Sequence, residues 1–298
     1  MHSHESLTDN DLDLMKKSEG QIIPWGVALV NPYVPVKYFS DNPVRVAIID
    51  SGIYADHPDL YGKVANQYNA VDGAYLGDVT GHGTAIAGII TANDNNIGVV
   101  GVSQSIAIYS VNVVDETERV SQQAFVRGIN WAINQGVDII NISLGFSRAT
   151  DELKDVIEQA IMQGIIVISA SGNTQGMNAL FPARFKCVIS VGAVDERNAI
   201  ISTSAVGKID FVAPGENILT LTHDGGYSLF HGSSFATAFV TGIVADYLSQ
   251  NEVPRNRYAQ ERIFSYLKSI SLTLDDAKER AGNGIPIIKN LPNFNGGY

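Results

Sequence analysis

The chain has 298 residues, 45% of them hydrophobic and 17% charged, with a formal net charge of -11. That composition excludes a disordered chain and leaves room for one large domain or two modest ones. An acidic balance with no basic stripe also argues against nucleic acid as a partner, because the phosphate backbone would be repelled.

Residues 1–20 are polar and acidic, lack an apolar run and read as a flexible or loosely docked arm rather than a signal peptide. Either export signals are removed ahead of this point or the protein works inside the cell. His2 and His4 fall in this solvated stretch. No segment has the length and apolarity of a membrane span. From Pro43 onward, β-branched runs of strand length recur at residues 44–49, 106–111, 137–142, 165–170 and 188–191. They lack polar alternation, which predicts strands buried on both faces of a parallel sheet. Helical spacing fills residues 121–135 and 151–164. In the second of these, Leu153, Val156, Ile157, Ala160 and Ile161 form one apolar stripe. Gly136 and Gly164 stand where left-handed helix caps are expected. The alternation predicts an α/β fold: a three-layer arrangement of a mostly parallel sheet with helices on both faces, in one domain over residues 21–298. The single cysteine, Cys187, excludes an intrachain disulfide and reads as a small buried hydrophobe.

Four short segments carry the chemistry. Asp50 closes the apolar run Val46-Ala47-Ile48-Ile49 and precedes Ser51-Gly52, at a strand end where functional groups gather in α/β sheets. His82 lies between Gly81 and Gly83 and opens a helical stretch at 84–90. Asn173 ends the segment Ser171-Gly172-Asn173. Ser234 sits in Gly232-Ser233-Ser234-Phe235-Ala236, just before an Ala-rich helix whose N-terminus favours negative charge. A serine hydroxyl becomes a nucleophile when a neutral imidazole takes its proton and a carboxylate fixes the imidazole tautomer.

The order Asp50, His82, Ser234, with VAIIDSGI, HGT and GSSFATAFVTG around them, resembles the subtilisin-like serine proteases. The resemblance runs from about Gln21 to about Ile288. It implies a serine endopeptidase in which Asp50, His82 and Ser234 are the triad, with the Asn173 amide and the Ser234 N–H as oxyanion donors. Ala85 replaces the second histidine common in the family, Phe235 replaces a methionine, and Ala238 replaces a proline. Those departures motivate a second reading, a catalytically weak or inactive peptide-binding relative. An esterase or acyltransferase is a third, but it leaves the SLG segment unexplained.

The resemblance further implies that Ser143, Leu144 and Gly145 pair with an extended peptide as an added strand. Glu118, Arg119 and Val120 would form the opposite wall and favour a charged side chain several residues before the cleavage point. Leu180 would shorten the primary pocket and disfavour large aromatic residues. The segment TANDNNIGVVG at 91–101 resembles the family's calcium loop. Its implied ligands for Ca2+ are the side chains of Asn95, Gln21 and Asp59 with the carbonyls of Asn93, Ile97 and Val99. A weaker second site falls near Asp210. A propeptide, or the arm at 1–20 lying over the cleft, is the implied inhibitor.

Overall fold

A computed structural model describes residues 16–18, 20–34, 42–71 and 76–289. Most of the arm predicted at 1–20 lies outside the described residues; of it, only β1 (Lys16–Ser18) and Gly20 are described, and β1 pairs antiparallel with β2 (Gln21–Ile23). A short helix α1 (Trp25–Val30) leads to β3 (Val44–Asp50). Then follow β4 (Val64–Asn69), α2 (His82–Thr91), β5 (Ile106–Asn112), α3 (Gln122–Asn134) and β6 (Ile139–Ile142). The chain continues through α4 (Asp151–Met162), β7 (Ile166–Ala170), β8 (Ile189–Val194) and β9 (Phe211–Pro214). A hairpin of β10 (Ile218–Leu221) and β11 (Tyr227–Phe230) precedes the long helix α5 (Ser233–Gln250) and α6 (Ala259–Ile270).

Seven strands form one sheet in the order β4-β5-β3-β6-β7-β8-β9, and every pairing in it is parallel. Strand geometry divides the core. Val46 and Ile48 of β3 join Ile86 and Ile90 of α2 and Phe235 and Phe239 of α5 on one side. Ala47 and Ile49, the alternate residues, join Phe125 and Ile129 of α3 and Leu153 and Ile157 of α4 on the other. The predicted three-layer α/β architecture is therefore the observed one. Gly136 and Gly164 both take positive φ, 65° and 79°, at the predicted caps. Cys187 is half-buried rather than buried, packed beside the second core cluster.

The sheet strands β4 and β9 and the β10–β11 hairpin lie outside the predicted apolar runs. The edge strand β4 has the sequence VANQYN and is nowhere fully buried, so no continuous apolar run marks it. The β10–β11 hairpin turns through His223-Asp224-Gly225-Gly226, and its strands are four residues each. Among the described residues, no helix is long and apolar enough to cross a membrane.

Candidate active site

Asp50 is the last residue of the central strand β3 and is 1% exposed. Its Oδ1 accepts hydrogen bonds from the Ser51 N–H and from His82 Nδ1, both at 2.8 Å. A carboxylate bonded to Nδ1 fixes the neutral imidazole as the tautomer with its lone pair on Nε2, the form a general base requires. His82 is the first residue of α2 and 7% exposed. Burial pushes its imidazole down, but the Asp50 charge and hydrogen bond, with a smaller contribution from Asp78, hold it above the ordinary imidazole value. The Phe235 ring packs against it at 5.3 Å between centroids.

The glycines around these residues are demanded by backbone approach. A Cβ on Gly83 would lie 2.0 Å from the Gly52 carbonyl oxygen, so the start of α2 seats directly on the loop after β3. That seating delivers His82 to Asp50. Asp78 completes the junction, with Oδ1 accepting from Ser51 Oγ, Thr80 N and Gly81 N and Oδ2 from Thr84 N and Oγ1. Sequence reasoning passed over this residue, although an acid just ahead of a helix start is a capping signal.

Ser234 is the second residue of α5. Its hydroxyl donates to the Ser143 carbonyl oxygen at 2.9 Å, which ties the start of α5 to the SLG segment. Thr241 Oγ1 donates to Asn141 Oδ1 and Asn141 Nδ2 donates to Ser143 Oγ, so a buried chain braces the same segment from α5. Asn173 Oδ1 accepts from the Ser233 N–H at 3.0 Å. Its carbonyl being anchored, the side chain retains its NH2 group as the donor. Ala238 lies fully buried within an uninterrupted helix of 18 residues, and Ala85 is fully buried with its carbonyl accepting from Thr220 Oγ1. Neither alanine disturbs the junction, so the geometry gives no support to an inactive relative.

A cleft of about 550 Å³ unites these groups: Asp50, His82, Ser234 and Asn173 all line it. Ser143, Leu144 and Gly145 line it too, with Glu118 and Val120. Arg119 is exposed and does not line it; its backbone N–H is spent on Asp115 Oδ1 at 3.0 Å. Leu180 enters the cleft beside two glycines, since a Cβ on Gly145 or Gly172 would meet its side chain at 2.8 Å. A second, larger cavity of about 1020 Å³ lies at the opposite ends of the strands, around Val44, Ala107 and Ile166. None of the four groups above lines it.

The residues expected to hold calcium do converge. Gln21 Nε2 lies 2.6 Å from Asn93 O, 3.0 Å from Val99 O and 3.4 Å from Asn95 Oδ1. An amide nitrogen has two hydrogens, yet three oxygens gather round this one. The Asp59 carboxylate adjoins them, accepting from Asn95 Nδ2, Val99 N and Tyr227 Oη at 3.0–3.1 Å. A half-turn of the Gln21 amide would add its own oxygen to the group. Such an all-oxygen set with one carboxylate fits a hard cation. Ile97 is in the same turn and donates its N–H to Asn95 Oδ1. Among the described residues there is no cluster of three or more His, Cys, Asp or Glu side chains, so an ion here would rest on carbonyl and amide oxygens with Asp59 as the one carboxylate. The lesser expectation near Asp210 is not supported by the geometry: the Lys208 ammonium sits on that carboxylate and on the Val188 carbonyl, supplying the positive charge internally.

Residues 41–283 match the model of the subtilase family. Subtilisin NAT of Bacillus subtilis subsp. natto is 35% identical over 251 residues, 82% of this chain and 66% of its own length. The Bacillus pumilus subtilisin is 35% identical over 82% of this chain and 91% of its own length. A thermostable alkaline protease of Halalkalibacterium halodurans is 34% identical over 287 residues, 90% of this chain and 79% of its own.

Proposed function

The chain belongs to the subtilase family, and on that premise we propose that it is a serine endopeptidase working through Asp50, His82, Ser234 and Asn173. The observation that carries this reading is the 2.8 Å bond from His82 Nδ1 to a buried Asp50, at one cleft with Ser234 and Asn173. Ser234 Oγ attacks the peptide carbonyl carbon while its proton passes to His82 Nε2. The carbonyl oxygen gains the negative charge, and the Asn173 NH2 and the Ser234 N–H hold it. Collapse breaks the C–N bond, and the leaving amine takes the proton from His82. Water then repeats the sequence on the acyl-enzyme and restores Ser234. Asp50 stays ionised throughout and stabilises the imidazolium.

The substrate is a peptide or protein segment in extended conformation, paired with Ser143–Gly145. Leu180, packed over Gly172 and Gly145, shortens the primary pocket against large aromatic side chains. Among the described residues, Glu118 is the one charged group in the cleft lining beyond the Asp50–His82 pair, so the favoured charged side chain on the amino-terminal side is basic. A propeptide, or residues 1–20 acting in cis, is the inhibitor this reading implies; nucleic acid is not a partner. The catalytic domain spans residues 21–298. Ca2+ fits the oxygens of Gln21, Asp59, Asn93, Asn95, Ile97 and Val99, where it would neutralise Asp59 and tie the loop to β2.

Mass-spectrometric mapping of products from a mixed peptide library tests the reading. The enzyme should cut after small or medium side chains, Leu180→Gly should add Phe and Tyr at that position, and Ser234→Ala should yield no products. Cleavage by Ser234→Ala at the wild-type rate would overturn the assignment; Phe or Tyr preferred by the unaltered enzyme would overturn the pocket.

A further inference from the structure

His82 faces an electrostatic conflict that Asp50 alone does not explain. It is the first residue of α2, where the helix dipole places the equivalent of about half a positive charge. Yet in the proposed reaction His82 must become a cation at that same point. The N-cap, Gly81, has φ 83° and offers no side chain to the helix, so the N–H groups of the first turn need another acceptor.

Asp78 supplies it. The carboxylate is 4% exposed, and among the described residues no lysine or arginine pairs with it. Its partners are all uncharged donors. Gly81 N and Thr84 N donate at 2.8 Å, Thr84 Oγ1 at 2.6 Å and Thr80 N at 3.1 Å. The fifth donor, Ser51 Oγ at 2.6 Å, follows the acid of the proposed triad, lies 3.3 Å from Asp50 Oδ1 and accepts from Gly83 N at 3.1 Å. One buried carboxylate thus bonds the backbone on either side of His82 and, through Ser51, the residue next to Asp50.

We infer that Asp78 is a positioning residue for the triad, registering α2 against the end of β3 and offsetting the positive helix end beside His82. The inference rests on the serine-peptidase reading above. Among the described residues, other titratable side chains near this helix start are Asp50 at the end of β3, Glu118 across the cleft and His223 of the β10–β11 turn, whose ring lies against Gly81. None of these three bonds the backbone of α2 in the way that Asp78 does.

Steady-state kinetics across pH on one soluble peptide separates this role from a merely structural one. Loss of the Asp78 charge removes an influence that raises the His82 imidazole, so the imidazole stays neutral to lower pH. For Asp78→Asn the acidic limb of kcat/KM therefore moves to lower pH, and kcat falls by about tenfold or more with KM within about twofold. Ser51→Ala keeps both carboxylates but cuts their link, so kcat falls while the acidic limb stays in place. A folded Asp78→Asn enzyme with an unmoved limb would overturn the inference. So would a Ser51→Ala enzyme with the wild-type kcat, which keeps the idea open to refutation if Asp78→Asn fails to fold. Absence of cleavage by the unaltered enzyme would instead refute the peptidase reading itself.

Discussion

Asn173 is one of the least buried members of the site and the one whose contribution is simplest to isolate. Its oxygen is held by the first N–H of α5. In the proposed reaction, replacing it with alanine would remove a donor to the oxyanion while leaving Asp50, His82 and Ser234 in place. In subtilisin, the loss of such a donor costs about 10²–10³ in kcat, and a loss of that order with KM nearly unchanged is expected for Asn173→Ala. A loss confined to KM would mean that the side chain binds substrate rather than the oxyanion. Individual residues were unequally legible. Asp50, His82, Ser234 and Asn173 stand in short segments whose glycines announce close backbone approach, whereas Asp78 sits in an ordinary polar turn. Its role depends on five hydrogen bonds that only the folded chain assembles.

At the scale of elements, buried strands were legible because both faces of the sheet are covered. The runs at 44–49 and 165–170 lie in β3 and β7 to within a residue at each end. The edge strand β4 was not legible, since its half-exposed positions accept Asn and Gln as readily as Val, and β9 and the hairpin strands, largely buried but four residues each, are too short to stand out as apolar runs. The loop following α2 shows how elements are tied together. Its carbonyls and Asn95 meet Gln21 of β2 and Asp59 of the short 3-10 helix Pro58–Leu60, so three separate segments share one set of oxygens. A cation there binds the folded state only, and would stabilise it by about 2.7 kcal/mol at a hundredfold excess over Kd. Exhaustive chelation should therefore lower Tm, added Ca2+ should restore it, and Gln21→Ala should diminish the difference. An unchanged Tm would rule out the ion.

For the molecule as a whole, the parallel sheet is what makes the chemistry local. Asp50 ends β3, Asn173 follows β7, and His82 and Ser234 open α2 and α5, two helices packed on the same face of the sheet. Residues more than 180 positions apart thereby line one cleft at the carboxyl ends of the strands, as the topology of open α/β sheets favours. The same packing explains why Phe235 and Ala238 are accepted. The helix is held by its apolar surroundings, and Phe235 fills the space between His82 and Phe230. The proposed reaction makes Ser234 a nucleophile activated by His82. Its most direct test is mass-spectrometric mapping after reaction with diisopropyl fluorophosphate. One adduct is expected, on Ser234, formed by the unaltered protein and absent from His82→Ala; an adduct elsewhere, or equal labelling of Ser234 without His82, would refute the proposed activation.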